Sequence, residues 1–293
     1  MREKILLTGA TGFLGSHLLE SFISQGFEVS ILKRSTSNTW RINHLLEKVR
    51  IYNIDEVGLD KIFIEIKPEI IVHTACTYGR NSESLSQILD TNLIFGINLL
   101  EESIKNNVKS FINTDSLLPR NINDYSLSKA QFTEWLQKYS NQIQVINLKI
   151  EHMYGVKDDN KKFLPWLINE MINGSGEIKL TSGIQKRDFI YISDVVAAFD
   201  LVLQKRQRLN SWNVFDIGTN IFTEVRGLIM KVASILEKEQ NKVIIPRLNF
   251  GTIPYRVEDI MIPNLDSKKI IELGWHHQVN IDEGIKLITK EYK

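Results

Sequence analysis

Tyr125 and Lys129 are four residues apart in the stretch Tyr-Ser-Leu-Ser-Lys. On a helix this spacing places both side chains on the same face. An ammonium group beside a phenol stabilises the phenolate, so we expect Lys129 to lower the pKa of Tyr125 from about 10 toward neutrality. A phenol tuned in this way can exchange a proton with a carbonyl or alcohol oxygen. No other tyrosine in the chain has a lysine four positions later.

A hydroxyl group that could make a second hydrogen bond to the same oxygen precedes this pair. Counting from a predicted strand over 110–113 places Ser116 at that position. Thr114 is the alternative if the register differs by two residues. A role in capping or turning the chain is the competing interpretation for both hydroxyls.

Three glycines follow a short apolar run near the start of the chain, in Lys-Ile-Leu-Leu-Thr-Gly-Ala-Thr-Gly-Phe-Leu-Gly from position 4 to 15. Glycines there let a strand turn sharply, let the backbone approach a pyrophosphate, and let the next helix lie close to the sheet. The helix N-terminus then presents unpaired N–H groups to the phosphates. An ordinary strand–turn–helix connection is the alternative. We expect dinucleotide binding by this turn: Gly9, Thr11, Gly12, Phe13, Leu14 and Gly15.

The end of the second predicted strand selects between the two nicotinamide cofactors. Lys33 and Arg34 stand there, followed by Ser35 and Thr36, in place of an acidic residue that would bind the ribose of NAD. Two cations and two hydroxyls suit the 2′-phosphate of NADP(H), so we expect NADP(H) rather than NAD(H). A solvated loop is the alternative. Asp55, after the third strand, is expected to contact the adenine amino group.

Composition and charge exclude several function classes. The 293 residues are 43% hydrophobic and 24% charged, as in globular proteins. A net charge of +1 argues against nucleic-acid and membrane partners. The single cysteine, Cys76, favours a reducing compartment. We expect no signal peptide, no membrane helix and no metal site, and hence a cytoplasmic protein.

Strand-like and helix-like patterns alternate through the first half, which predicts a parallel sheet with helices on both faces. We expect strands over 5–7, 28–32, 49–53, 70–74, 110–113 and 144–149, and helices from Phe13 and over 60–65, 85–106 and 126–138. The pattern is mixed after Tyr154. There we expect helices over 163–173, 195–204 and 224–236 and from Asp282, and strands over 178–181, 189–192, 214–217 and 243–245.

The expected fold class is therefore α/β, a Rossmann-type doubly wound parallel sheet with a smaller α+β substrate-binding lobe. The dinucleotide-binding domain would span 1–153 and be completed by parts of 187–219. The second lobe would comprise 154–186 and 220–293. It would lie over the carboxyl ends of the parallel strands, where ligands of such sheets bind.

Further motifs accompany the glycine turn and the Tyr125–Lys129 pair. They are His-Thr-Ala-Cys at 73–76, Asp-Thr-Asn at 90–92, the block 187–194 (Arg-Asp-Phe-Ile-Tyr-Ile-Ser-Asp) and Leu-Gly-Trp at 273–275. Together they resemble the extended short-chain dehydrogenase/reductases, the NAD-dependent epimerase/dehydratase family. The resemblance implies cofactor contacts by these residues: Thr74, Ala75, Cys76, Asn92, Tyr125 and Lys129.

Within that family the chain is most similar to nucleotide-sugar 4-ketoreductases of the CDP-abequose synthase type, through Asn-Thr-Asp-Ser at 113–116, the segment 148–155 and Thr-Tyr-Gly at 77–79. The resemblance implies hydride delivery from NADPH to the C4 ketone of a nucleoside-diphosphate 4-keto-6-deoxyhexose, for a surface polysaccharide such as an O-antigen. Tyr125 would donate the proton, Ser116 would orient the carbonyl, and Lys129 would hold the nicotinamide ribose. The segment between Ser116 and Tyr125 is shorter than in epimerases, which predicts a shorter wall there.

The resemblance also implies where the substrate binds. Arg187 and Arg256 would hold the diphosphate, and His152, Lys162 and Phe163 would contact the sugar or base. The alternatives are ion pairs of Arg187 with Asp188 or Asp194, and of Arg256 with Glu258. Relatives dimerise through the helices that correspond to 85–106 and 126–138, so a homodimer is expected.

Two other functions remain open from the sequence. An NAD-dependent nucleotide-sugar 4-epimerase would retain its cofactor as a bound catalyst, and Lys33 and Arg34 argue against it. A non-catalytic dinucleotide sensor would keep the fold without turnover. The presence of Ser116, Tyr125 and Lys129 argues against a sensor, which needs no tuned phenol.

Overall fold

The computed structural model describes residues 2–241, 243–255 and 259–292. Its strands are β1 (Lys4–Thr8), β2 (Glu28–Lys33), β3 (Arg50–Asn53), β4 (Ile70–His73), β5 (Ser110–Ser116), β6 (Gln144–Ile150), β7 (His152–Tyr154), β8 (Ile178–Leu180), β9 (Lys186–Tyr191), β10 (Trp212–Ile217), β11 (Phe222–Glu224) and β12 (Leu248–Phe250). Its α-helices are α1 (Phe13–Ser24), α2 (Leu59–Ile66), α3 (Leu85–Leu89), α4 (Phe95–Lys105), α5 (Asp124–Lys138), α6 (Phe163–Asn173), α7 (Ile192–Lys205), α8 (Val225–Gln240), α9 (Lys268–Glu272) and α10 (Ile281–Thr289).

A seven-stranded sheet organises the chain, in the order β10-β6-β5-β4-β1-β2-β3. Every neighbouring pair in it is parallel. The order reverses between β1 and β4, so a crevice forms at the carboxyl ends of these strands, where such folds bind ligands. The predicted α/β fold of Rossmann type is confirmed.

The sheet is buried on both faces, which explains why its strands are rich in apolar side chains. Ile5, Leu6 and Leu7 of β1 are fully buried. Side chains of α1 and α7 form the core on one face, and those of α2, α4 and α5 form it on the other. The apolar side of each helix therefore packs on the sheet and fixes the position of the strands.

Two smaller sheets lie outside the parallel one. In the first, β9 pairs with β11 antiparallel and with β7 parallel. In the second, β8 pairs with β12. Their side chains and those of α6, α8 and α10 join the same hydrophobic cluster as the α1 face of the large sheet, so one continuous core connects all three sheets.

Three differences from the predicted elements have physical causes. The helix expected over 85–106 contains a π-helical segment, Asp90–Ile94, between α3 and α4, and such segments are frequent at functional sites. The strand expected over 243–245 is wrong, because Ile245–Arg247 is a 3₁₀ helix in which Pro246 cannot donate to a strand ladder. Strands β7, β11 and β12, of three residues each, are too short to show a period in the sequence.

Candidate active site

The glycine turn between β1 and α1 is packed too closely to accept side chains at two positions. Gly9 has a left-handed backbone with φ of +71°, and a Cβ there would lie 2.6 Å from the backbone nitrogen of Ala75. A Cβ on Gly15 would lie 2.1 Å from the carbonyl oxygen of Gly9. Helix α1 has Gly12 as its N-cap, with no side chain capping it, so the amides of its first turn are available to an anion. The turn has the geometry that a pyrophosphate requires.

Replacing Gly15 with alanine is expected to lower the affinity for a nicotinamide dinucleotide and the thermal stability together. The added methyl group would displace the backbone of the turn, at a cost of about 1–3 kcal/mol. Dinucleotide fluorescence titration and thermal unfolding measure the two effects. Gly227→Ala is the matched control, because a Cβ at Gly227 in α8 meets nothing within 4 Å. An unchanged dinucleotide affinity in Gly15→Ala would contradict the assignment of the turn.

The carboxyl end of β2 carries the cations that the sequence assigns to a 2′-phosphate. Lys33 donates to the carbonyl oxygen of Arg34 over 3.2 Å, and the Arg34 side chain is exposed. The hydroxyl of Ser35 was expected to bind a 2′-phosphate. In this structure the backbone N–H and the hydroxyl of Ser35 both donate to Asp55, at 2.8 and 2.5 Å. These bonds lower the pKa of Asp55 and occupy the carboxylate that we expected to contact adenine.

Two residues that the sequence analysis missed lie near this end of the site. Asn53 pairs with Lys33 at the end of β3, and its buried Oδ1 has no hydrogen-bond partner, so it can accept from an amino group. Arg41 donates to the carbonyl oxygens of Thr11, at 3.4 Å, and Lys157, at 2.9 Å. A polar residue at the end of β3 could have indicated Asn53. No local pattern indicates Arg41, because both of its partners are distant in sequence.

The hydroxyls of Ser116 and Tyr125 meet at the carboxyl end of β5. Ser116 is the last residue of that strand, and Tyr125 lies in the first turn of α5. The Ser116 hydroxyl lies close enough to the phenol of Tyr125 to lower its pKa, and it accepts from the backbone N–H of Leu118 at 3.1 Å. Thr114 Oγ1 is buried without a hydrogen-bond partner. The structure therefore brings Ser116, rather than Thr114, to the phenol.

Lys129 lies one turn after Tyr125 on α5 and is 2% exposed. No carboxylate pairs with it among the described residues. A buried ammonium without a counter-ion is costly, and it is well suited to binding hydroxyl oxygens of a ligand. The predicted pair is thus on one helix face, close to the carboxyl ends of β4 and β5.

The expectation that Lys129 brings the pKa of Tyr125 toward neutrality is wrong for this structure. Burial is the largest cause of change, and it raises the Tyr125 pKa well above its usual value, with further increases from Cys76 and Asp115. The positive charge of Arg80 and the nearby hydroxyl of Ser116 act in the opposite direction. The spacing of residues in the sequence indicates which cation shares a helix face with a phenol. It does not indicate how deeply the phenol is buried.

The side chain of Asn92, which the resemblance implies to be a cofactor contact, makes three hydrogen bonds within the protein. Its Nδ2 donates to Thr77 O at 2.9 Å and to Ser128 Oγ at 3.0 Å, and its Oδ1 accepts from Thr77 N at 2.8 Å. Both amide hydrogens are therefore used within the protein. Asn92, in the π-helical segment, ties the loop after β4 to the residue before Lys129 on α5.

His73, at the end of β4, is buried and neutral. The hydroxyl of Thr8 accepts from the backbone amides of Thr74 and Ala75 and shares a 2.8 Å hydrogen bond with Nδ1 of His73. Burial, with the nearby charge of Lys129, lowers the pKa of His73 to about 3. In the unfolded chain the pKa is 6.5, so the unfolded state takes up a proton at a pH where the folded state does not.

Stability is therefore expected to fall as the pH drops below about 6.5, down to about 3. At pH 5 the contribution of His73 to this loss is about 2 kcal/mol. Thermal unfolding at pH 7.5 and pH 5 of the parent and of His73→Leu would measure it, since the variant should lose less stability on acidification. His44→Leu, which removes a half-exposed histidine, is the control and should behave as the parent does. Equal acid sensitivity in all three proteins would contradict the prediction.

The loop after β4 carries the other expected cofactor contacts. Thr74 donates from Oγ1 to Thr8 O at 2.8 Å, which holds the loop against the glycine turn. Cys76 is a half-buried free thiol. Tyr78, which the sequence analysis did not assign to the site, places its ring 4.7 Å from the ring of Tyr125.

The side chains expected to bind the substrate already have partners. His152 contacts Glu151 at 2.8 Å, and Lys162 forms a 2.9 Å ion pair with Asp158. Arg187 pairs with Asp259 at 2.9 Å. Phe163 is exposed at the start of α6.

Neither alternative ion pair proposed for Arg187 occurs. Asp188 accepts from Thr219, and Asp194 accepts from the backbone amides of 278 and 279. Arg256 and its alternative partner Glu258 lie outside the described residues.

Neither a metal-binding cluster nor a membrane-spanning helix occurs among the described residues. No group of three or more His, Cys, Asp or Glu side chains is placed to hold a metal ion. No helix in the described parts of the chain has the length and apolar character needed to span a membrane.

Comparison with known proteins assigns the family. Residues 5–218 match the profile of the NAD dependent epimerase/dehydratase family. The chain belongs to this family. As a member it is a nucleotide-sugar-modifying enzyme that depends on a nicotinamide dinucleotide. The resemblance found in the sequence is confirmed.

Relatives match this epimerase/dehydratase family member along its whole length. A CDP-abequose synthase of Salmonella muenchen is 33% identical over 98% of this chain and 97% of its own. A UDP-glucose 4-epimerase of Thermotoga maritima, solved with UDP-glucose, has a TM-score of 0.84 and 25% identity, covering 99% of this chain and 98% of its own. A dTDP-glucose 4,6-dehydratase of Bacillus anthracis, solved with NAD, has a TM-score of 0.84 at 19% identity, over 99% and 96% of the two chains, and shares the fold.

Proposed function

We propose that the enzyme reduces the C4 ketone of a nucleoside-diphosphate 4-keto-6-deoxyhexose with NADPH, yielding a deoxysugar nucleotide for a surface polysaccharide. The observation that carries the proposal is the placement of Ser116 and Tyr125 side by side at the carboxyl end of β5, with the buried cation Lys129 one turn further along α5. Full-length similarity to the CDP-abequose synthase of Salmonella muenchen supports the 4-keto sugar as substrate. Ser116 is followed by Leu117 and Leu118, so it lacks an adjacent acidic pair for removing water from the sugar.

The roles of the chain's own residues follow from where they lie. Tyr125 donates the proton to the C4 oxygen, and Ser116, whose hydroxyl lies near the phenol, hydrogen-bonds to the same oxygen and orients it. Lys129 binds ribose hydroxyls of the dinucleotide. When bound, the dinucleotide supplies the hydride. Asn92 keeps the helix that carries the phenol and the ammonium against the loop after β4.

The residues present fit a dinucleotide. The glycine turn leaves no space for a Cβ at Gly9 or Gly15, and the buried Oδ1 of Asn53 has no protein partner. Lys33, Arg34 and Arg41 favour the extra phosphate of NADP(H). Asp55 opposes it, but its carboxylate is bonded to Ser35 and lies near the charge of Lys33, so we expect the cations to dominate.

We propose that the nucleotide sugar lies between the carboxyl ends of the parallel strands and the lobe 154–186 and 220–293, opposite the dinucleotide-binding domain of 1–153 and parts of 187–219. His152 and Phe163 are the contacts to the sugar or base. Lys162 and Arg187 exchange or share their carboxylate partners on binding the diphosphate, with Arg256 beside them.

Assembly and location are part of the same proposal. Large apolar side chains are exposed along α3, the π-helical segment and α5, namely Leu85, Ile94 and Trp135. Their exposure supports a homodimer formed through these helices, which sedimentation at increasing concentration would measure. The free thiol of Cys76 and the use of NADPH support a cytoplasmic enzyme.

The test is to mix the purified enzyme with NADPH and 4-keto-6-deoxyhexoses attached to CDP, dTDP, UDP or GDP, and to follow the absorbance of the reduced nicotinamide. Consumption that depends on the sugar supports the reductase. Interconversion of 4-epimers with co-purified NAD and no net consumption would identify a 4-epimerase instead. Binding without turnover across the panel would identify a dinucleotide sensor. Tyr125→Phe is the control for contaminating reductases.

A further inference from the structure

The ring of Tyr78 lies on the ring of Tyr125, with 4.7 Å between centroids and 36° between planes. The guanidinium carbon of Arg80 lies 4.8 Å from the centroid of the same Tyr78 ring. Both distances are in the range of favourable aromatic and cation–π contacts. Since the segment after Ser116 is short, the loop after β4 supplies the side chains that cover the proposed proton donor.

This loop is held by specific bonds. Asn92 binds both the N–H and the carbonyl oxygen of Thr77, the residue before Tyr78. Glu83 accepts from Thr77 Oγ1 at 2.9 Å and from Asn81 N at 2.7 Å, and these bonds and others from Asn81 lower the Glu83 pKa to about 2. The nearby thiol of Cys76 raises the pKa of Tyr78.

Arg80 differs from the other cations near the site. His152, Lys162 and Arg187 each contact a carboxylate. Among the residues that the structure describes, no carboxylate forms an ion pair with Arg80. Its guanidinium group lies over the Tyr78 ring instead. Its charge is therefore available to act on neighbouring phenols.

We propose that Tyr78 is a positioning residue that holds the ring of Tyr125, and that Arg80, seated on Tyr78, supplies the positive charge on that side of the phenol. The inference rests on the proposed role of Tyr125 as proton donor. It gives the loop 76–83 a role in positioning the proton donor, in addition to the roles of the glycine turn and of Ser116, Tyr125 and Lys129.

The electrostatics agree with this arrangement. Tyr125 is faced by Cys76, Tyr78 and Arg80 from the loop and by Asp115 and Ser116 from β5. Lys129 lies one turn further along its own helix, α5. Burial, Cys76 and Asp115 raise the Tyr125 pKa, whereas Arg80 and Ser116 lower it. Removing Arg80 should therefore raise the pKa. Removing the Tyr78 ring should admit water and lower it, because burial is the largest cause of the increase.

The test is a titration of Tyr125 by tyrosinate absorbance, taken as the difference between each variant and the same variant carrying Tyr125→Phe. Arg80→Gln should move the titration to higher pH, by about 0.5 or more, and Arg80→Lys should restore most of the change. Tyr78→Leu should move it to lower pH, and Tyr78→Phe, which keeps the ring, should stay close to the parent. Tyr139→Leu is the matched control, since it removes a ring stacked on Trp135 elsewhere on α5.

Kinetics give a second measurement. Tyr78→Leu should lower kcat about 3- to 10-fold, the equivalent of one aromatic pair, with an unchanged Kd for NADPH. The titration needs no substrate, so it can succeed even if the proposed 4-keto sugar is not turned over. The inference is overturned if Arg80→Gln and Tyr78→Leu leave the Tyr125 titration where the parent has it, or if both move it in the same direction.

Discussion

Tyr125→Phe is expected to lower kcat for ketone reduction by about 10²- to 10⁴-fold, the usual contribution of a positioned general acid. The change removes one oxygen and keeps the ring, so the contact with Tyr78 and the fold should persist. The affinity for NADPH should remain within a factor of about 3, because the glycine turn and the cations after β2 are untouched. Steady-state kinetics and fluorescence titration with NADPH measure the two quantities separately.

A matched control is Tyr139→Phe, which removes a hydroxyl at the end of α5 outside the proposed site. It should keep the parent kcat. If Tyr125→Phe retained full turnover on every sugar nucleotide that the parent accepts, Tyr125 would not be the proton donor, and the proposed mechanism would be wrong.

The pH dependence of kcat supplies a further comparison between the same two proteins. Ketone reduction requires the protonated phenol, and burial raises the Tyr125 pKa well above its usual value. Turnover by the parent should therefore be sustained into the alkaline range and fall only as the phenol ionises. Residual turnover by Tyr125→Phe should lack that alkaline decline.

Lys33→Ala with Arg34→Ala is expected to lower kcat/KM for NADPH on the order of 100-fold, as two charge-assisted hydrogen bonds to a phosphate are lost. The value for NADH should change little, because NADH lacks that phosphate. The ratio of the two values, measured with one sugar substrate, isolates the contribution of these side chains. Asp55 and its bonds to Ser35 are unchanged in this variant.

Lys48→Ala with Lys105→Ala is the control of equal charge. These lysines precede β3 and β5, at the amino ends of the strands, far from the carboxyl-end crevice. Their loss should leave the NADPH preference intact. A parent enzyme without preference for NADPH, or a preference that survives in the Lys33 and Arg34 variant, would overturn the assignment of these two cations.

Structural elements that depend on residues close together in the sequence could be predicted. Residues 5–7 and Gly9, Gly12 and Gly15 indicate a strand, a turn and a helix because each requirement is local, and the fold confirms these elements. Tyr125 and Lys129 share a helix, so their common face follows from helical spacing alone. The 3₁₀ helix at Ile245–Arg247 contains Pro246, which cannot donate to a strand ladder, so the apolar run before it does not form the strand predicted over 243–245.

Local patterns in the amino-acid sequence were enough to predict the parallel α/β architecture, the glycine turn and the types of residue at the site, since these depend on periodicity and spacing along one segment. The three-dimensional fold was needed to show that Ser116 rather than Thr114 lies near Tyr125, that Tyr78 lies on its ring, and that Arg187 pairs with Asp259. It also decided that burial raises the phenol pKa. Such contacts join distant loops, and the burial of a charge depends on every element packed around it, so no local pattern contains them.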